Sequence, residues 1–200
     1  MGEVMADPAA ARYATIIADP PWSYRNAGCR GAAANQYPTM TLKDICALPV
    51  ANLAAPDSVL LLWATWPQLT EAMSVIAAWG FKYVTGFPWV KVTSVYTDLW
   101  GAVQIEVPFG IGFWSRGTSE PLLIARRGKA KPPERDFVGL LSPNLRHSRK
   151  PASIYEYAEA LPGPRVELFA RRSRDGWDVW GNEVASVPLF DGIEGARDTK

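Results

Sequence analysis

The chain has 200 residues, with 21 basic and 20 acidic side chains and 48% hydrophobic residues. This composition excludes a disordered chain and a long coiled coil, and it predicts one domain that buries about 70% of its unfolded surface. Cys29, Cys46 and the single His147 are too few for a secreted disulfide framework or a four-ligand zinc site. We therefore expect no bound metal and a location in the reducing cytoplasm. The sequence patterns also predict neither a membrane span nor a signal peptide.

Apolar strand-like runs alternate with helical patterns along the chain. Helix-start signals at Thr41 and Pro67, and a Gly80 stop, bound two of the helices. The pattern predicts strands over 13–18, 58–64, 82–92, 121–125 and 166–170, and helices over 41–48, 67–79 and 151–162. Such alternation predicts an α/β fold, a mostly parallel sheet with helices on both faces, whose ligands bind outside the strands' carboxyl ends. We expect a core over about 13–183 and a loosely ordered tail over 184–200.

Positive charge is concentrated in one stretch, because residues 126–150 hold eight of the 21 basic side chains and only two acidic ones. Pro132-Pro133 and Ser142-Pro143 interrupt the stretch, so it reads as a loop. A basic loop suits a polyanion such as nucleic acid, and a merely solvated surface loop is the equal alternative. The basic residues are Arg126, Arg127, Lys129, Lys131, Arg135, Arg146, Arg149 and Lys150.

The first strand runs directly into Asp19-Pro20-Pro21-Trp22. Two prolines remove two backbone donors, so the chain must leave the sheet, rigidly extended. The Asp19 carboxylate and the carbonyls of Asp19 and Pro20 then form a cluster of acceptors with no donors beside it. An aromatic amine such as the adenine N6 group fits these acceptors, and Trp22 can stack on its ring. Most of the nine tryptophans are expected in the core, and Trp22 is the exception.

With these motifs the sequence resembles the DPPW family of S-adenosylmethionine-dependent adenine N6-methyltransferases, over about Ile16 to Glu183. This is the family of the catalytic subunit of the eukaryotic messenger-RNA adenosine methyltransferase, and it has small bacterial and phage members. The resemblance rests on the order and spacing of these motifs: Asp19-Pro-Pro-Trp22, Tyr37-Pro-Thr-Met40, Leu61-Leu-Trp63, Trp79-Gly-Phe81, Trp89-Val-Lys91, Glu120, His147-Ser-Arg-Lys-Pro151, Glu167-Leu-Phe-Ala-Arg171 and Trp180-Gly-Asn-Glu183.

The resemblance implies a Rossmann-like methyltransferase fold with permuted motif order, the catalytic strand first and the cofactor strand late. It implies a catalytic role for Asp19, Pro20, Pro21 and Trp22. It implies S-adenosylmethionine binding by Asp19, Lys150, Glu167, Arg171, Asn182 and Glu183. It implies substrate contacts from Trp22, Tyr24, Tyr37, Glu120, His147 and Arg149. No glycine-rich turn follows Glu167, so the cofactor assignment rests on the resemblance alone.

The sequence therefore predicts methyl transfer to N6 of adenine in nucleic acid, with the base flipped out or taken from a single strand. DNA is the preferred substrate; RNA stays open, as does a homo- or hetero-dimer. A catalytically silent nucleic-acid-binding partner subunit of the same fold is the alternative, and the intact Asp19-Pro-Pro-Trp22 argues against it. A methyltransferase for a small amine or for protein glutamine is a further alternative, which Trp22 and the basic loop disfavour.

Overall fold

The computed structural model describes residues 13–23, 39–108, 114–115, 117–134, 140–143 and 150–190. Within these ranges the chain forms nine strands, four α-helices and one 3₁₀ turn. The strands are β1 (Tyr13–Ala18), β2 (Ala54–Trp63), β3 (Lys82–Val92), β4 (Ser94–Thr97), β5 (Val103–Glu106), β6 (Ser119–Arg127), β7 (Leu140–Pro143), β8 (Arg165–Leu168) and β9 (Asp178–Trp180). The helices are α1 (Leu42–Ala47), α2 (Val50–Leu53), α3 (Leu69–Ala78) and α4 (Ser153–Glu159), with the 3₁₀ turn at Trp66–Gln68.

Local sequence signals account for the helix ends. Thr41 is the N-cap of α1, and its hydroxyl accepts the backbone N–H of Asp44. Pro67 lies in the 3₁₀ turn that precedes α3, so the α-helix begins two residues later than predicted. After α3 the chain turns at Gly80, whose φ of 80° is a conformation that favours glycine. These signals therefore fix the start of α1 and both ends of α3.

Seven strands form one sheet in the order β7-β3-β6-β2-β1-β8-β9. Six of them run in one direction, and only β6 is antiparallel, to both β2 and β3. The carboxyl ends of the six strands therefore lie along one side of the sheet, which we call the carboxyl edge. Because β6 is reversed, its first residues, Ser119 and Glu120, lie at this edge as well. The mostly parallel sheet is as predicted; the antiparallel strand is not.

Helices cover both faces of the sheet. On one face, α1, α2 and α3 contribute buried residues to a core that includes Ile16, Leu60 and Leu62. On the other face, Ile154 and Ala158 of α4 pack in a second core. Alternate residues of each central strand enter opposite cores, as the two-residue period of a strand requires. No helix in the described ranges has the length and apolar character needed to cross a lipid bilayer.

Two strands outside the main sheet form a separate hairpin. β4 and β5 pair antiparallel, and their turn at 98–102 is held by Asp98, whose Oδ1 accepts the backbone N–H groups of Trp100 and Ala102 at 2.9 Å each. The turn presents Leu99 and Trp100 to solvent, 97% and 88% exposed. The hairpin starts two residues after β3 ends, so it projects from the carboxyl edge.

The segment after β9 differs from the prediction of a loose tail. Val187 donates its backbone N–H to the Val179 carbonyl, and Leu189 and Phe190 are buried. The Phe190 ring packs edge-on against Trp180, with centroids 4.8 Å apart. The prediction is therefore wrong for 184–190, because apolar side chains there cover the end of the sheet. Residues 191–200 lie outside the described residues.

Candidate active site

The Asp19-Pro-Pro-Trp22 corner leaves β1 at the carboxyl edge, as predicted. The Asp19 N–H donates to the Leu168 carbonyl of β8 at 3.4 Å. Beyond it, the Trp22 N–H donates to the Pro20 carbonyl at 2.8 Å and the Met40 N–H to the Pro21 carbonyl at 2.9 Å. The corner is thus held by its own backbone, and the Asp19 side chain retains 23% of its exposure at the edge.

Four charged side chains form a continuous series beginning at Asp19, which we call the ion-pair chain. The Lys150 ammonium lies 3.1 Å from Asp19 Oδ1 and 2.7 Å from Glu120 Oε2, and Lys91 Nζ lies 2.5 Å from Glu120 Oε1. Glu120 lies at the carboxyl edge because β6 is antiparallel, and Lys150 lies between it and Asp19. The expectation of acceptors with no donor beside them is therefore wrong: Lys150 is a donor to Asp19.

Two indole rings lie beneath the two lysines. Lys150 Nζ is 4.8 Å from the centroid of Trp63 and 6.0 Å from that of Trp89, and Lys91 Nζ is 5.0 Å from Trp89. The two rings pack edge-on at 5.9 Å. Cations over indole faces are attracted by the ring quadrupole, more strongly where water is excluded. The rings therefore help to keep both ammonium groups at this edge of the sheet.

Burial and charge shift the pKa values of the ion-pair chain in different directions. Removal from water raises the pKa of Asp19; Lys150 opposes the rise, and Glu120 adds to it. Burial alone would also raise the pKa of Glu120, but Lys150 and Lys91 outweigh it and the pKa is lowered. Burial would lower the pKa of Lys150, but Asp19 and Glu120 outweigh it and the pKa is raised. Asp19 is thus the carboxylate of the pair that binds a proton more readily.

Trp22 does not stand open as a stacking platform. Its side chain is buried in the α1–α3 core, and its indole N–H donates to the Trp63 carbonyl at 3.2 Å. This bond ties the diproline corner to the end of β2. The prediction that Trp22 stacks on a base is therefore corrected: its indole fixes the corner, because both its ring and its N–H are used within the protein.

The end of β8 brings the other predicted cofactor residues to the same edge. Glu167 accepts the Tyr155 hydroxyl, with O–O distances of 2.9 and 3.1 Å to its two oxygens. Arg171 Nη1 lies 3.6 Å from Glu183 Oε1, and Asn182 beside it is exposed. Between them Phe169 has a φ of 62°, uncommon for a residue other than glycine. The chain turns sharply there, at the point where glycine-rich cofactor turns occur in other folds.

The basic stretch is not one patch beside Lys150. Arg126 and Arg127 end β6 opposite Val59 and Ser58, at the side of the sheet away from Asp19. Arg127 donates to the Ala51 carbonyl there. The expectation that residues 126–150 form one basic loop is wrong for Arg126 and Arg127, because they are the last residues of β6 and lie at the end of that strand away from Asp19. Arg135, Arg146 and Arg149 lie outside the described residues.

The remaining substrate candidates, Tyr24, Tyr37 and His147, also lie outside the described residues. The structure adds residues to which the sequence assigned no role: Lys91, Trp63, Trp89, Tyr155 and Arg174. Lys91 and the two tryptophans belong to motifs that carried the family resemblance, which was the only signal for them. In the described part of the chain, no group of three or more His, Cys, Asp and Glu side chains is arranged to hold a metal ion.

A family model described as MT-A70 matches residues 13–183 of the chain. The chain belongs to the MT-A70 family. The match includes the diproline corner, all four members of the ion-pair chain and the end of β8. It confirms the family predicted from the sequence motifs.

Named relatives agree with the MT-A70 assignment. The chain is 29% identical to the Type II methyltransferase M.MunI of Mycoplasma sp, over 94% of this chain and 84% of that protein. It is 32% identical to the N6-methyladenosine RNA methyltransferase MTA1 of Cryphonectria parasitica, over 84% of this chain and 51% of that protein. It is 27% identical to the human N(6)-adenine-specific methyltransferase METTL4, over 90% of this chain but 39% of that protein.

Proposed function

We propose that this chain transfers a methyl group from S-adenosylmethionine to N6 of an adenine in DNA. The observation that carries the proposal is Asp19, a carboxylate fixed on a rigid corner at the carboxyl edge and partnered by Lys150. Membership of the MT-A70 family and the names of the relatives support adenine N6 as the acceptor. We prefer DNA as the substrate because the chain covers 84% of the Type II methyltransferase M.MunI, whereas it covers 51% of the RNA methyltransferase MTA1.

The corner offers oxygen atoms to both hydrogens of an adenine amino group. One acceptor is the Asp19 carboxylate; the Pro20 carbonyl, which already accepts the Trp22 N–H, keeps a second lone pair for the other. With both hydrogens engaged, the nitrogen lone pair is drawn out of conjugation with the ring and directed away from the corner. Positioning and a favourable field therefore provide most of the catalysis.

The amino nitrogen gains positive charge as it is methylated and must then lose a proton. Asp19 stabilises that charge, and its burial-raised pKa makes it a better proton acceptor than an ordinary aspartate. The hydrogen bond from Lys150 to Asp19 has to weaken while the Asp19 carboxylate accepts a hydrogen bond from the amino group. Glu120, 2.7 Å from Lys150 Nζ, retains the ammonium during that exchange.

The residues at the end of β8 fit an S-adenosylmethionine molecule by their chemistry. The cofactor supplies an electrophilic methyl group when bound. Its ribose hydroxyls need acceptors, which Glu167 provides, and its carboxylate needs a cation, for which Lys150 is available. Arg171 lies near the ribose position, and Asn182 and Glu183 provide the polar groups that suit the cofactor's adenine. Glu167 lies in β8, Arg171, Asn182 and Glu183 follow that strand, and Lys150 precedes α4.

Incubation of the chain with labelled S-adenosylmethionine and DNA or RNA, followed by nucleoside mass spectrometry, tests the proposal. We expect N6-methyladenine in DNA. Asp19→Asn should reduce its formation about 100-fold or more, because the loss of one stabilising group aimed at developing charge has effects of this size. Asp57→Asn is the matched control, since Asp57 is exposed at the opposite side of the sheet.

Each outcome bears on a different part of the proposal. Methylation of RNA alone would overturn the preference for DNA, and product on protein or small amines would overturn the acceptor. A chain that binds nucleic acid but shows no heat on titration with the cofactor is the silent partner subunit. Full activity of Asp19→Asn would refute the mechanism.

A further inference from the structure

A tyrosine of α4 holds the carboxylate of β8. The Tyr155 hydroxyl lies 2.9 Å from Glu167 Oε1 and 3.1 Å from Oε2, so its one proton is shared between both oxygens. A hydroxyl centred on a carboxylate fixes the carboxylate plane and leaves the outer lone pair of each oxygen open. Each oxygen of Glu167 therefore keeps one outward acceptor position, to which a hydroxyl group of a bound ligand can donate.

The Tyr155 ring is itself held on two sides. The Arg174 guanidinium carbon lies 3.8 Å from the ring centroid, and the Trp177 ring packs edge-on at 5.8 Å. Glu159 joins these two residues, 3.8 Å from Arg174 Nη1 and 3.3 Å from Trp177 Nε1. The chain that follows β8 is thus fastened to α4 around the phenol. Tyr155 cannot turn away from Glu167 without breaking this packing.

Glu167 faces the side of the sheet where Asp19 lies. It pairs in register with Ile17, two residues before Asp19, so the two carboxylates project from neighbouring strands to the same face. The charged and titratable groups that act on Glu167 are Tyr155 of α4, Asp19 after β1 and Arg174 after β8. Burial raises the pKa of Glu167 to about 7; the Tyr155 hydroxyl and Arg174 lower it, and Asp19 raises it.

We propose that Tyr155 is a positioning residue for cofactor binding, whose hydroxyl holds the Glu167 carboxylate oriented as an acceptor for the cofactor's ribose hydroxyls. The inference rests on the proposed function. Without the hydroxyl, burial and Asp19 hold Glu167 protonated at neutral pH. A protonated carboxyl has one acceptor oxygen fewer and a freer plane, so the affinity for the ribose falls as Glu167 gains its proton.

Titration calorimetry with S-adenosylhomocysteine between pH 5.5 and 9 tests this role without any turnover. The wild type should lose affinity as the pH falls through about 7. In Tyr155→Phe the midpoint should move to higher pH, and a rise of one pKa unit means about tenfold weaker binding at low pH. At pH 9 the variant should approach wild-type affinity. Tyr155 itself stays protonated there, because burial raises its pKa.

Two further variants make the result specific. Glu167→Gln should bind weakly with an affinity that no longer depends on pH in this range, because an amide does not titrate. Tyr157→Phe is the matched control: Tyr157 is on the same helix, its ring packs on Phe87, and its loss should leave the midpoint unchanged. Thermal unfolding of each variant, and a carboxyl ¹³C NMR titration of Glu167 in unliganded protein, show whether the fold and the pKa respond.

The results separate this inference from the proposed function. Tyr155→Phe with an unchanged midpoint, in a folded protein that binds the probe, overturns the positioning role and leaves the proposed function intact. An equal loss of affinity at every pH also overturns it, since that is the signature of a structural residue. A wild type that binds no S-adenosylhomocysteine overturns both.

Discussion

Replacing Lys150 with methionine removes the cation between the two carboxylates while keeping the length of the side chain. Lys150 lies 3.1 Å from Asp19 and 2.7 Å from Glu120, and its side chain is 13% exposed. A pair of unit charges at about 3 Å attracts by about 5 kcal/mol at an effective dielectric constant near 20, much of which desolvation cancels.

Breaking such a buried pair from one side costs about 3–5 kcal/mol of unfolding free energy. Asp19 and Glu120 retain 23% and 19% of their exposure, so we take the lower end, about 3 kcal/mol. For a chain of this length, the melting temperature should fall by about 6–12 °C. Glu120 keeps Lys91 in the variant, so most of the loss arises at Asp19.

Urea unfolding followed by tryptophan fluorescence measures this loss, and Asp19→Asn completes a double-mutant cycle. Without Lys150 the pKa of Asp19 rises further, so folded protein takes up a proton there. The deficit of Lys150→Met should therefore be smaller at pH 5 than at pH 7. Lys82→Met, an exposed lysine at the start of β3, should change stability by less than about 0.5 kcal/mol. An equally small effect of Lys150→Met, or a deficit that grows as the pH falls, would refute the reasoning.

Three further outcomes follow from single residues. The folded-state pKa of Glu167, about 7, exceeds its unfolded value of 4.5, so the wild type should lose stability as the pH rises from about 4.5 to 7; Glu167→Gln should flatten that part of a pH-dependent melting curve. Gly181→Ala should lower the melting temperature or prevent folding, because a Cβ there would overlap the Ala170 carbonyl oxygen, whereas Gly117→Ala, with open space around it, should melt like the wild type. Trp22→Phe should cost about 1–2 kcal/mol in urea unfolding by leaving a strand-end carbonyl without its donor, and no loss would show that the bond contributes nothing.

The spacing of apolar residues, together with the proline, glycine and helix-capping residues between them, was sufficient to predict the main architecture. β1 and β3 have the predicted bounds, because both are runs rich in β-branched and aromatic residues that lie between turn residues. The β4–β5 hairpin, β9 and β7 were missed, and β7 lies within the stretch over 126–150 that was predicted to be a loop. They are three or four residues long, and β9 exists only because it pairs with β8. The direction of β6 could not be predicted either, since an apolar run does not encode whether it pairs parallel or antiparallel.

The candidate site was predictable at its centre and not around it. Asp19 could be placed because two prolines after a strand dictate where the backbone must go. The contact of Lys150 with Asp19 joins residues 131 positions apart, and it depends on the course of the chain before α4. Trp22 shows the opposite error: its place beside Asp19 was right, but an aromatic next to a functional residue was assigned to the ligand when it belonged to the core.

The reversed direction of β6 has a practical consequence. Since β3 ends and β6 begins at the carboxyl edge, the whole connection over 93–118 leaves from and returns to the neighbourhood of Asp19. We expect that its length can change without shifting the register of the sheet or the position of the Asp19 carboxylate. This connection is therefore a suitable place to exchange or lengthen sequence when a different target preference is to be engineered, with the hairpin turn at Asp98 as a natural grafting point.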